Sequence, residues 1–209
     1  MNILHIDSSI SGEYSISRQL TAEVVRALTS RHNDAIVTYR DVVEKPIGHL
    51  TGNIAAGFRP LRTETLLTPE VTAEHAWSAR LVNEFLDSDI VVIGAPMYNF
   101  SVSSQLKTWL DRLAQPGKTF SYTPDGPVGH AAGKKIIVVS SRGGIYFGTP
   151  IAEMDFQEKY LQRFFGFLGI EQVEFVRAEG TTRSAEIREK GVAQALASIP
   201  VVIAALLDR

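Results

Sequence analysis

The 209-residue sequence contains no cysteine, and this absence excludes several kinds of chemistry. Disulfides, thiolate nucleophiles, iron–sulfur clusters and zinc sites with sulfur ligands all require cysteine. The five histidines show no metal-ligand spacing, and His5 lies within an apolar run, where a core position is the better interpretation. We therefore predict no metal site, and any redox chemistry must depend on a bound organic cofactor.

Strong charge and long hydrophobic runs are also lacking. Lys and Arg number 21 against 23 Asp and Glu, without a basic block that could neutralise a nucleic-acid backbone. The longest apolar stretch, residues 195–207, falls short of the roughly 20 residues that cross a bilayer. The first residues resemble a strand rather than a secretory signal. We expect a cytoplasmic protein with neither nucleic acid nor membrane as a partner.

Five short runs rich in Val and Ile recur along the chain and have the length of strands. They cover residues 2–7, 35–40, 89–94, 134–140 and 170–178. Several are apolar at consecutive positions instead of alternating, which is typical of parallel strands buried on both faces. The sequence therefore predicts a parallel sheet at the centre of the protein.

Helical patterns separate these runs, with apolar residues spaced to form one stripe per helix. One helix is predicted to begin with Thr68 as its cap and Pro69 as its first residue, and to end near Asp87. Another is predicted for residues 184–208. Strands alternating with helices indicate an α/β fold, a doubly wound five-stranded parallel sheet in the flavodoxin-like order 2-1-3-4-5 with helices on both faces. We expect residues 1–209 to form a single domain.

Ligands of such sheets bind beyond the carboxyl ends of the strands, so the loops there are the candidate site. The loop after the first strand is rich in hydroxyls and enters a helix directly, with Ser9, Ser15 and Ser17 as candidate donors. Together with free N–H groups at the helix start, such hydroxyls can hold a terminal phosphate. The alternative is an ordinary helix cap at Ser15 with solvated serines beside it.

Two further loops follow buried strands. Residues 95–100, with the sequence APMYNF, can lie along a flat ring, although Met and Phe at a strand end are more often core residues. Residues 140–144, with the sequence SSRGG, carry paired glycines that let backbone N–H groups approach a ligand, or that form a plain turn. Neither the dinucleotide fingerprint, the Walker A loop nor the nucleophile elbow occurs in the sequence.

Four motifs in this order, S-S-x(5)-Y-S-x-S, A-P-M-Y-N-F, T-F-x-Y-T-x-x-G-P and S-R-G-G, resemble the FMN-dependent NADH azoreductase family, similar in fold to quinone reductases. The resemblance covers almost the whole chain and implies a homodimer with one FMN per subunit. It places the phosphate on Ser9, Ser15, Ile16 and Ser17. It places the isoalloxazine along Pro96, Met97, Tyr98, Asn99 and Phe100, and its pyrimidine edge at Ser141, Arg142, Gly143 and Gly144.

The resemblance implies a two-electron, ping-pong oxidoreductase that uses NADH or NADPH to reduce quinones and to cleave aromatic azo compounds. Phe120, Phe58 and Arg59 are predicted to line the space for these small aromatic acceptors. No catalytic acid or base is predicted, because the cofactor carries the chemistry. The alternative from another class is a non-enzymatic electron carrier or redox-sensing module on the same fold. The small net charge of −2 does not favour it.

Overall fold

The five apolar runs form one parallel sheet in the computed structural model, which describes residues 1–59 and 67–207. Seven strands are present in the described part: β1 (Asn2–Asp7), β2 (Ile36–Asp41), β3 (Ile90–Pro96), β4 (Phe120–Thr123), β5 (Gly126–Gly129), β6 (Lys135–Ser141) and β7 (Gln172–Ala178). The order across the main sheet is β2-β1-β3-β6-β7. This is the predicted order 2-1-3-4-5, so the predicted fold is confirmed.

Six α-helices connect the strands in the described ranges. They are α1 (Ile16–Arg31), α2 (Gly52–Ala56), α3 (Pro69–Asp87), α4 (Ser104–Leu113), α5 (Phe156–Phe167) and α6 (Ala185–Leu207). Short 3₁₀ turns occupy Gly12–Tyr14 and Pro150–Met154. Helix α3 begins as predicted, since the Thr68 hydroxyl accepts a hydrogen bond from the Val71 N–H at 3.3 Å and Pro69 is the first helical residue.

Successive residues of the central strands are buried on opposite faces of the sheet. Ile136 and Val138 of β6 belong to one core cluster, with side chains from α3, α4 and α5 such as Trp109. Ile137 and Val139 belong to the other, with side chains from α1 and α6. Burial on both faces explains why these strands have consecutive apolar residues rather than alternating ones.

Helix α6 has the length and apolar composition that a membrane span would also have. It packs against the second core cluster through Ala195, Ile199, Ile203 and Leu206. These contacts are those of a helix that covers one face of a sheet.

Two regions depart from the simple repeat of strand and helix. Residues 120–129 form the antiparallel hairpin β4–β5, whose loop is the Pro124–Asp125 pair and whose Gly126 has a φ of 118°. The sequence predicts only the turn, because each strand has just four residues. The long segment 41–67 contains turns and the short helix α2, and its residues 60–66 lie outside the described ranges.

Candidate functional site

The loops after β1, β3 and β6 meet around one cavity of about 370 Å³. Its lining combines hydroxyl, apolar and backbone groups: Ser9, Ser11, Tyr14, Ser15, Ile16, Pro96, Met97, Tyr98, Ser141, Gly143, Thr181, Thr182 and Arg188. Eight of these 13 residues are among those for which cofactor contact is predicted from the sequence. The structure therefore brings the predicted loops together, and their contact with a cofactor stays a prediction.

The hydroxyl-rich loop ends at the cap of helix α1. The Ser15 Oγ accepts a hydrogen bond from the Arg18 N–H at 3.2 Å and lies 3.0 Å from the Ser17 Oγ. Both serines are almost fully buried, and only Ser15 of the two lines the cavity. Because the first helical N–H groups have no acceptor within the helix, those of Ile16 and Ser17 are available to a ligand. The cap and the phosphate-cradle interpretations are thus compatible at Ser15.

A charged network supports the same loop from β1 and β2. The Arg18 guanidinium pairs with Asp41 and donates to the Tyr39 hydroxyl at 3.1 Å and to the Ser9 carbonyl at 3.1 Å. Burial would raise the pKa of Asp41, but hydrogen bonds from Arg18 and from two backbone N–H groups outweigh it and hold the pKa below its usual 3.8. Asp41 therefore stays ionised and holds Arg18 against the loop.

Asp7 and Tyr39 extend this network beneath the loop. The Asp7 carboxylate accepts from the Thr21 hydroxyl at 2.9 Å and from the Tyr39 hydroxyl at 3.2 Å, and lies 3.4 Å from His5 Nε2. Burial, followed by the charge of Asp7, raises the pKa of Tyr39 to about 12.

A Cβ at Gly94 would lie 2.5 Å from Asp7 Oδ1, so β3 needs glycine there. His5 is buried and its ring packs edge-on against Tyr39, as expected for a core residue.

The loop after β3 contains an unusual tight turn. Tyr98 and Ser101 exchange backbone hydrogen bonds of 3.0 Å, and the two residues between them, Asn99 and Phe100, have φ values of 46° and 69°. Non-glycine residues rarely adopt this region, and such strain is often found at functional sites. The turn is followed by α4, which begins at Ser104.

Tyr98 connects the cavity with a larger one of about 650 Å³, which Asn99 and Ile10 also line. The Tyr98 hydroxyl accepts a hydrogen bond from the Ile10 N–H at 3.3 Å. This bond ties the loop after β1 to the loop after β3. Phe100 is 40% exposed and lines neither of these two cavities.

The loop after β6 presents backbone and hydroxyl groups to the cavity. The Met97 N–H donates to the Ser141 carbonyl at 2.8 Å, which extends the pairing of β3 with β6 to the edge of the cavity. A Cβ at Gly143 would lie 2.6 Å from Thr182 Oγ1, so this loop packs closely on the segment after β7 and a larger residue would displace the Thr182 side chain. The Gly144 carbonyl accepts from the Gly180 N–H at 2.8 Å and the residue does not line the cavity.

Comparisons with known proteins agree with this geometry. A family model described as a flavodoxin-like fold matches residues 1–201. An FMN-dependent NADH:quinone oxidoreductase 2 of Xanthomonas euvesicatoria is 56% identical, over 97% of this chain and 94% of its own. An FMN-dependent NADH:quinone oxidoreductase of Ralstonia nicotianae is 51% identical, over 97% of each chain. The crystal structure of an azoreductase from Bacillus anthracis has a TM-score of 0.86 and 28% identity, and covers 97% of this chain and 98% of its own.

The chain belongs to the FMN-dependent NADH:quinone oxidoreductase family. The cavity fits the cofactor of that family in its chemistry. One end offers hydroxyls and free N–H groups to a phosphate, and the lining includes Pro96 and Met97, whose side chains suit a flat aromatic ring. Ser141 is also buried against the cavity, where its hydroxyl can reach a polar ring edge.

The Arg142 side chain is held within the protein, and contact of Arg142 with a cofactor stays a prediction. Its guanidinium is 1% exposed and pairs with Asp155, Glu158 and Glu179, and its Nε donates to the Ser140 hydroxyl at 2.9 Å. Three carboxylates already neutralise this charge, so it supplies no free positive charge to a cofactor. Glu179 also accepts the Tyr146 and Phe147 N–H groups, and the arginine thereby holds the loop rather than the ligand.

Phe120, which is predicted to line the space for the acceptor, is a buried residue. Phe120 is 1% exposed and packs against Phe167 with ring centroids 4.5 Å apart, so in this arrangement it is a core residue and not a wall of the cavity. Phe58 and Arg59 lie after α2, where Arg59 donates to the Ala114 carbonyl at 3.0 Å. Neither lines the two cavities that contain Tyr98, and their contact with a substrate stays a prediction.

Sequence reasoning missed the segment after β7. Thr181, Thr182 and Arg188 line the cavity because the Thr181 N–H donates to the Arg142 carbonyl at 2.9 Å, which brings this segment beside the loop after β6. Two adjacent threonines after a predicted strand carry the same hydroxyl signal as the serines after β1. The sequence therefore contains a signal that would have placed the carboxyl end of the fifth strand at the site.

Proposed function

We propose that this chain is an FMN-dependent oxidoreductase that uses NADH for two-electron reduction of quinones and also cleaves aromatic azo compounds. One observation carries the proposal: a single cavity joins buried serines at the start of α1 to the apolar loop after β3. This pairing of an anion-binding end with an apolar surface suits a phosphorylated flavin. The relatives described as quinone oxidoreductases and azoreductases support the same activity.

The proposed contacts follow the order of the loops. The hydroxyls of Ser9 and Ser15 and the first N–H groups of α1 hold the phosphate, and Ser17 supports Ser15. The residues Pro96, Met97, Tyr98, Asn99 and Phe100 lie along the ring. Ser141 and the backbone at Gly143 and Gly144 meet the pyrimidine edge. The backbone hydrogen bonds between Tyr98 and Ser101 hold Asn99 and Phe100 in their strained conformation before any ligand binds.

Bound FMN supplies the transfer of two electrons between donor and acceptor. The chain binds and orients the cofactor, and its apolar loop limits the access of water. None of the described residues that line the cavity is a carboxylate or a histidine, and we propose that no side chain acts there as a general acid or base. Since donor and acceptor are expected to use one open face in turn, we propose a ping-pong mechanism.

Initial rates test this proposal directly. With NADH and a quinone both varied over a wide range, double-reciprocal plots should be parallel. Intersecting lines would contradict the shared face and indicate a ternary complex. The same rates with NADPH in place of NADH measure the donor preference.

We also propose that the protein is a cytoplasmic homodimer. Several large apolar side chains near the candidate site are exposed in the single chain, among them Tyr14 at 77% and Phe147 at 67%. Exposed apolar residues grouped around a site are typical of an interface. Light scattering should give twice the chain mass of 23.0 kDa. A fully active flavin-loaded protein with the mass of one chain would contradict the dimer.

The electron-carrier alternative receives no support from the relatives, which are described as enzymes. A carrier would show no steady-state turnover between NADH and quinone. The initial-rate experiment therefore separates the two functions.

A further inference from the structure

Among the described residues, Arg18, Arg142 and Arg188 lie around the candidate site, and their charges differ in availability to a ligand. Arg18 is paired with Asp41, and its two terminal nitrogens also donate to the Tyr39 hydroxyl and the Ser9 carbonyl. Arg142 is buried among three carboxylates. The positive charges of these two arginines are therefore used within the protein and are not open to a ligand.

Arg188 differs from both. It lines the cavity together with Ser9 and Ser15, and its side chain forms no ion pair or hydrogen bond within residues 1–59 and 67–207. It also lines a neighbouring cavity of about 480 Å³ with Ile16 and Gln19, so its side chain lies between the starts of α1 and α6. The guanidinium thus has both a position beside the serine loop and unused donors.

The charge of the cavity lining follows from this position. Of the described residues that line it, Arg188 alone carries a formal charge, and the others are polar or apolar without a carboxylate among them. Ile16, at the first turn of α1, offers only its backbone N–H because its side chain is apolar. A dianionic phosphate at this place would otherwise be met by hydroxyls and N–H groups alone.

We propose that Arg188 is the residue that makes this site select a flavin monophosphate over the unphosphorylated flavin. The inference rests on the proposed function, since it concerns the cofactor of that reaction. A guanidinium forms two parallel hydrogen bonds to a phosphate, and this charge-assisted contact is absent for riboflavin. Thr182, which packs against Gly143 and lines the same cavity, lies on the segment that precedes α6 and helps to place it.

The test compares the binding of FMN and riboflavin to the full chain after removal of its flavin, by quenching of flavin fluorescence. Arg188→Gln should weaken the affinity for FMN roughly 10- to 100-fold, as expected for the loss of a charge-assisted contact. The affinity for riboflavin should stay within about two-fold of the wild-type value. Arg188→Lys should recover part of the loss, since it keeps the charge without the planar fork. Higher salt should reduce the preference for FMN in the wild type and hardly at all in Arg188→Gln.

Arg183→Gln is the matched control. Arg183 is also exposed, precedes α6 by two residues and does not line the cavity, and its replacement changes the net charge equally. The control should bind FMN like the wild type, and circular dichroism should show all three variants folded because neither arginine is buried.

An unchanged ratio of FMN to riboflavin affinity in Arg188→Gln would overturn the inference, as would an equal loss of both flavins. Equal losses in Arg183→Gln and Arg188→Gln would also overturn it, since they would show a general effect of charge. Failure of the proposed function has a different signature: wild-type protein would bind neither flavin.

Discussion

Ser15→Asp separates the two interpretations of the serine loop, because a helix cap and a phosphate cradle respond to it in opposite ways. Ser15 Oγ accepts the Arg18 N–H at 3.2 Å, and an Asp carboxylate can accept the same bond. Its charge also suits the start of a helix. As a cap alone, the substitution should change the free energy of unfolding by no more than about 0.5 kcal/mol and leave cofactor binding intact.

The cradle interpretation predicts a large loss of FMN. Two unit charges about 4 Å apart repel each other by roughly 4 kcal/mol at an effective dielectric constant of about 20. The phosphate is close to a dianion, and partial exposure of the cavity reduces the effect, which leaves about 2–4 kcal/mol or a roughly 30- to 1000-fold weaker affinity. Ser15→Ala removes the cap and one donor without adding charge, so its affinity for FMN should fall far less than that of Ser15→Asp.

Absorbance after desalting measures the flavin retained by each variant, and thermal unfolding measures stability. We expect Ser15→Asp to purify folded, colourless and almost inactive, with partial recovery of activity in excess FMN. Full retention of flavin by this variant would refute the reasoning. Ser15 would then be only a cap, and the phosphate would bind elsewhere.

Two further substitutions test the packing and the charges that support the site. Gly143→Ala should lower the free energy of unfolding by about 1–3 kcal/mol and weaken FMN binding, because the new Cβ would lie 2.6 Å from Thr182 Oγ1. The double variant with Thr182→Ala should recover most of the lost stability. No recovery in thermal melts would contradict the contact. Asp41→Asn should cost about 1–3 kcal/mol at pH 7 by removing the partner of Arg18. Because the folded-state pKa of Asp41 is lowered from 3.8, the difference in stability between the wild type and Asp41→Asn should be complete above about pH 5 and shrink as the pH falls through the folded-state pKa. If denaturant unfolding shows a constant difference down to about pH 2, the ionisation of Asp41 does not contribute to stability.

Much of the fold follows from local signals in the sequence. Consecutive apolar residues predict the buried parallel strands, and the Thr68–Pro69 pair predicts the start of α3. The serines after β1 lie at the cavity as the strand order requires. These features depend on residue type and spacing alone, so the sequence contains them.

The placement of Arg142 and Phe120 could not be predicted from the sequence, because it depends on contacts between residues distant along the chain. Arg142 is adjacent to two glycines of a predicted ligand loop, but its partners Asp155, Glu158 and Glu179 are supplied by the N-cap and first turn of α5 and by the residue that follows β7. Phe120 is buried because the hairpin β4–β5 folds against Phe167. Neither pairing has a local pattern, since it arises only when the elements pack together.

The position of Arg188 illustrates the same limit. It joins the cavity through the pairing of the segment after β7 with the loop after β6, where the Gly180 N–H donates to the Gly144 carbonyl at 2.8 Å. In the sequence it is one of several charged residues on a polar helix start. Only the tertiary structure distinguishes it from Arg183.

The absorbance spectrum of the purified protein tests the central claim most directly. We expect a yellow protein that retains stoichiometric FMN after desalting, whose flavin absorbance is bleached by NADH without oxygen and restored by a quinone. A folded chain that is colourless, takes up no added FMN and shows no oxidation of NADH by quinone would contradict the account.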